Sequence, residues 1–160
     1  MRQLSKYLWG SAIFFILLGA SQVAWALSPE APAISAGDTS WVLVSAALVF
    51  LMTPGLAFFY GGLVRKKNML SVLMQCFILI CIITLQWVLF GYSLAFGPDV
   101  QGLIGNLSWA GLQGVSLDPM VLYASTIPHQ LFMIYQAMFA IITPGLILGA
   151  FAERMKFSAF

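Results

Sequence analysis

The stretch from Ile127 to Phe157, IPHQLFMIYQAMFAIITPGLILGAFAERMKF, carries Phe132, Tyr135 and Phe139, with Gln136 in the middle of its apolar run. On a helix that spacing lays the three rings along one face. An aromatic face attracts a small cation through the ring quadrupole, worth roughly 0.5–2 kcal/mol per ring depending on desolvation. Taking an ion to the middle of a bilayer costs far more. Tyr135 and Phe139, one turn apart with Gln136 beside them, suit a site that concentrates a cation at an aqueous mouth but does not carry it through an apolar bore. The plainer alternative is that all three rings pack in a bundle, and spacing alone favours it.

No other chemistry is visible. His129, the single histidine, has no carboxylate or cysteine near it in sequence, the apolar runs hold no acid pair, and no glycine-rich phosphate loop follows a strand. Cys76 and Cys81 are five residues apart and point to different faces of a helix, so they read as packing residues rather than a disulfide or a metal pair. We expect no enzyme, no cofactor and no metal site.

The elements that position these residues follow from composition. The chain is 61% hydrophobic and 8% charged, against roughly 45–50% and 25% in ordinary globular chains. Between Lys67 and Glu153 the only charged residues are Asp99 and Asp118. This is the composition of a polytopic, all-α membrane protein in a lipid bilayer. No basic stripe exists beyond two short clusters beside apolar runs, which excludes nucleic acid as a partner.

Met1 to Ala26 reads as a signal peptide. Arg2 and Lys6 precede a short apolar core, Tyr7 to Ala20, and Ala24-Trp25-Ala26 offers small residues for cleavage after Ala26. Residues 27–160 then contain three predicted spans, at about 40–64, 69–94 and 127–152. Trp41 suits an interface, Pro54-Gly55 should loosen the first span, and Gly61 and Gly62 allow close helix contact. Gln75, Thr84 and Gln86 read as cross-helix hydrogen-bonding groups in the second span, and Tyr92 and Phe96 as an interfacial belt. Asn106-Leu107-Ser108 matches the glycosylation pattern, a three-residue match that is common by chance.

Charge sets the orientation. Arg65, Lys66, Lys67, Arg154 and Lys156 fall on one side when three spans are threaded, whereas residues 27–39 and the loop 97–125 contain no Lys or Arg. The positive-inside rule puts the mature N-terminus and that loop outside, and the basic turns inside, in the cytoplasmic (inner) membrane. A signal peptide predicts the same start.

Two strings carry a family resemblance: DTSWVLVSAALVFLMTPGLAFFYGGLVRKKNML, Asp38 to Leu70, and YQAMFAIITPGLILGAFAERMKFSAF, Tyr135 to Phe160. They resemble the first and third helices, each with its following turn, of the ammonium transporter (Amt/Mep/Rh) family. The resemblance implies an eleven-helix fold, a homotrimer with one narrow hydrophobic pore per subunit, and ammonium or ammonia as cargo. In that family an outer site recruits ammonium, paired phenylalanines gate the path, and two histidines line the bore. Tyr135 and Phe139 fall on the aromatic positions of outer site and gate, and Gln136 on the polar residue between them. Leu56, Phe59 and Tyr60 match first-helix positions near the pore.

The rest of the outer site, the second gate ring and the pore histidines are matched by no residue here, and His129 stands too early in the third span to be one of them. The resemblance therefore predicts an N-terminal fragment or a truncated gene product, whose parent conducts ammonium. The alternatives are a sensor of the same fold coupled to a signalling partner, and a non-conducting assembly subunit. A cytoplasmic regulatory protein would have the Arg65 and Glu153 turns as its landing surface.

Overall fold

Ser35 opens the first helix: its side-chain oxygen accepts the backbone N–H of Asp38 at 3.2 Å, filling one of the orphan donors of the first turn. The computed structural model describes residues 33–160, so the leader read at Met1 to Ala26 lies outside the described residues. Helix α1, Ala36–Leu63, runs through Pro54, which has no N–H to offer the Phe50 carbonyl. A 3-10 turn at Lys66–Asn68 leads into α2, Met69–Gln86. Gly61 is buried against the start of α2, where a Cβ would make an ordinary contact with Met69 Cγ at 3.5 Å. Gly62, expected like Gly61 to allow close contact, faces open space.

The second span does not stay α-helical. After α2 it passes through a π-helical turn, Trp87–Gly91, and ends in α3, Tyr92–Phe96. One extra residue in a turn rotates everything after it by about 100°. Just past that turn Gly91, Tyr92 and Ser93 are buried in succession, under the long connection that folds back over them. Tyr92 is 0% exposed, so it is no interfacial ring as its position suggested. Phe96 is half-buried and meets Trp87 and Phe132 edge to face.

The connection folds into two short antiparallel ladders that composition did not suggest. Strands β1, Asp99–Val100, and β2, Ile104–Gly105, pair around Gln101 and Gly102, both at positive φ. Strands β3, Pro119–Met120, and β4, Ala124–Pro128, form the second. Gly97 and Gly105 both press their backbone on the Ser93 carbonyl, where any Cβ would collide.

Helix α4, His129–Leu146, has no side-chain cap. The loop supplies one instead: the His129 and Gln130 N–H groups donate to the carbonyls of Asp118 and Ser116, at 3.0 and 3.2 Å. It begins two residues later than the predicted span because Ile127 and Pro128 complete β4. After Pro144 it breaks at Ile147 and resumes as α5, Leu148–Phe151.

Among the described residues three helical stretches are long and apolar enough to cross a membrane: Ala36–Leu63, Lys66–Phe96 and His129–Phe151. The polytopic helical fold read from composition is therefore present. Helix α1 packs on both other spans. One core, at the loop end, gathers Trp87, Tyr92, Met120, Ile127 and Phe132; a second, at the turn end, gathers Ala57, Val72, Cys76 and Leu148. Cys81 is free and exposed, on a different face from buried Cys76.

Candidate functional site

Three aromatics at one spacing meet different fates on α4. Phe132 is buried, stacked on Tyr123 with ring centroids 5.8 Å apart and planes 7° apart. Tyr135 and Phe139 leave that core. Their centroids are 5.1 Å apart at an interplanar angle of 80°, an edge-to-face pair. Tyr135 is half-buried and Phe139 is 40% exposed, so neither side chain is sealed in the core. Gln136, next to Tyr135, is half-buried.

The backbone beneath this pair is irregular for a chemical reason. Pro144 has no N–H for the Ala140 carbonyl, and one residue earlier the Thr143 hydroxyl donates to the Phe139 carbonyl at 2.7 Å. The turn below Phe139 is thus held by a side chain as well as by the helix.

Leu56, Phe59 and Tyr60 lie elsewhere, in the last turns of α1 against the end of α4. A Cβ on Gly145 would stand 3.2 Å from Leu56 Cδ2. The Tyr60 hydroxyl donates to the Leu146 carbonyl at 2.6 Å, beside the break at Ile147 where α4 loses its own ladder. Phe59 meets Tyr60 edge to face and is otherwise exposed. The structure therefore brings Tyr135, Gln136 and Phe139 together, and separately Leu56, Phe59 and Tyr60, but does not bring the two groups to one point.

Two constellations escaped sequence reasoning. Tyr92 Oη and His129 Nε2 share a hydrogen bond of 2.7 Å inside the loop-end core, with the Trp109 ring on both. Thirty-seven positions separate the pair, and Tyr92 follows directly on the π turn. The second constellation is Glu153. Its carboxylate accepts from the Asn68 amide at 2.8 Å, the Arg65 backbone N–H at 2.9 Å and Arg65 Nε at 3.1 Å. Those bonds, the Asn68 amide first, hold the carboxyl down at about 2. A lone acid among basic residues at the end of an apolar run was the available signal, since such an acid rarely stands without a partner.

A sequence profile described as Ammonium Transporter Family matches residues 40–160. The chain is 56% identical over 124 residues to an ammonium transporter of Bacillus subtilis (strain 168), covering 78% of this chain and 30% of that protein. It is 48% identical over 138 residues to an ammonium transporter of Mycobacterium tuberculosis (strain H37Rv), covering 78% of this chain and 29% of that one. Among solved structures it superposes on Mep2 of Candida albicans with a TM-score of 0.69 at 34% identity, over 78% of this chain and 27% of that chain. Saccharomyces cerevisiae Mep2 gives a TM-score of 0.66 at 37% identity, over 76% and 28%. The chain spans about 30% of the length of the curated relatives it matches.

Proposed function

Since the chain belongs to the ammonium transporter family, we propose that it contributes one wall of a path that passes ammonium or ammonia across a cytoplasmic membrane. Tyr135 recruits the cation, Phe139 one turn further along α4 gates its entry, and Gln136 is the polar group between them. The observation that carries this reading is that Tyr135 and Phe139 alone of the three rings stay out of the core, 5.1 Å apart. An apolar bore beyond the gate favours loss of the proton before passage, because the charged form is the expensive one. Of the first-helix group, Phe59 is the side chain free to border the path, since Leu56 and Tyr60 are engaged with α4. The basic turns at Arg65 and Arg154 face the cytoplasm, a homotrimer forms the working unit, and a cytoplasmic regulatory protein would meet those turns.

Methylammonium uptake by cells carrying the full-length gene tests the assignment. Phe139→Ala should change uptake or selectivity. Tyr135→Ala should raise the half-saturating concentration by about 2- to 30-fold, the range that 0.5–2 kcal/mol of cation–π attraction implies. Unchanged transport in both variants would sink the aromatic assignment.

A further inference from the structure

A pocket of about 240 Å³ opens at the end of the molecule opposite the long loop, lined by Arg65, Lys67, Ser71, Gln75 and Glu153 among others. It is smaller than the clefts of about 300–1,000 Å³ that hold drug-sized ligands. It also lies apart from the aromatic pair: Phe139 is on α4, and Glu153 comes after the break at Ile147 and beyond the end of α5.

Its charges are not balanced among the described residues. Glu153 is satisfied by Arg65 and Asn68, which uses Arg65 Nε and its backbone N–H. The terminal guanidinium nitrogens of Arg65 and the ammonium of Lys67 make no hydrogen bond among the described residues, so one uncompensated positive charge and several donors remain at the rim. Ser71 adds a hydroxyl on the first turn of α2. One turn deeper on the same face is Gln75, 2% exposed, whose side-chain oxygen is buried without a hydrogen-bond partner. An amide oxygen buried without a donor is costly to keep. It needs a donor, while the rim needs an oxyanion.

We propose that this pocket binds a phosphate group that carries a hydroxyl. Phosphate oxygens take the free Arg65 nitrogens, Lys67 and the Ser71 hydroxyl, and the ligand's own hydroxyl donates to the Gln75 oxygen. The pocket stands where α1 ends and α2 begins, at one end of two stretches long and apolar enough to cross a bilayer. That height admits a phosphoglycerol lipid headgroup, and hydrogen phosphate from solution carries the same two functions. Neither source depends on the transport reading.

The experiment uses the full-length protein that contains this chain, reconstituted in phosphatidylcholine nanodiscs with and without phosphatidylglycerol. Retained lipid is read by native mass spectrometry, and inorganic phosphate is added as competitor. Lys67→Gln and Gln75→Leu, neither of which hydrogen-bonds to Glu153, should weaken retention by about 10-fold or more for the charge-assisted contact and about 3- to 10-fold for the neutral one. Displacement by millimolar phosphate assigns the site to the soluble anion; retention through it assigns the site to the lipid. Wild-type retention in both variants overturns the proposal. So does absence of any phosphate-dependent binding, or a structure of the full-length protein in which its own chain fills the pocket.

Discussion

Tyr92 and His129 show what a single buried contact demands. Each is nearly sealed from solvent, and the 2.7 Å bond satisfies a hydroxyl and a ring nitrogen at once. Tyr92→Phe removes one partner and strands the other, which costs about 1–3 kcal/mol. Thermal unfolding of the full-length protein in detergent should show that loss, with near-wild-type stability counting against the bond. Tyr135 makes the opposite demand, because its proposed role uses the ring face and not the hydroxyl. Tyr135→Phe should therefore keep methylammonium capture that Tyr135→Ala loses, and equal loss in both would move the argument from ring to hydroxyl. Phe132, Tyr135 and Phe139 were indistinguishable by type and spacing. Which ring sits in the core depends on Tyr123 and Phe96, contributed by segments remote in sequence.

At the scale of elements, the turn ends of α1 and of the third span are joined by one carboxylate. The Glu153 carboxyl is held near 2 against an ordinary value of 4.5, by the Asn68 amide and the Arg65 groups. A depressed folded value means the link contributes in full above about 4.5 and fades as pH falls toward 2. Exchange protection of the Arg65 backbone amide, taken relative to the intrinsic rate at each pH, should accordingly be high at pH 6 and fall below pH 4, and Glu153→Gln should be poorly protected at both. A pH-independent profile in the unaltered protein would remove the carboxylate from this role. At the other end, the loop is closed by backbone contact: Gly97→Ala or Gly105→Ala drives a Cβ into the Ser93 carbonyl. Overpacking of that kind costs about 1–3 kcal/mol, read as faster proteolysis within residues 97–128.

For the whole molecule, the basic turns share one end and the long loop occupies the other, as the Arg65–Glu153 pair and the Ser35 N–H donating to the Thr126 carbonyl at 2.8 Å require. Sidedness is the proposal drawn from the positive-inside rule. In a background without Cys76 and Cys81, Leu103→Cys should label with an impermeant maleimide in intact cells. Lys67→Cys should label only after permeabilisation, and the reverse pattern would invert the topology.

Much of this architecture was written locally. Apolar runs of about 20 residues must satisfy their backbone internally, so three spans were readable from Ser40 to Ala152 without any contact being known. The basic clusters beside Arg65 and Arg154 marked one end, and the strings around Leu56 to Tyr60 and Tyr135 to Phe139 carried the family. What local pattern did not contain was everything that depends on rotation and on distant partners. Tyr92 is buried just past the π turn at Trp87–Gly91, the carbonyls of Asp118 and Ser116 cap α4 in place of a side chain, and Glu153 finds Asn68 across 85 positions. Hydrophobic length decides whether a segment crosses a bilayer; which of its faces is occupied, and by whom, is decided by the segments packed against it.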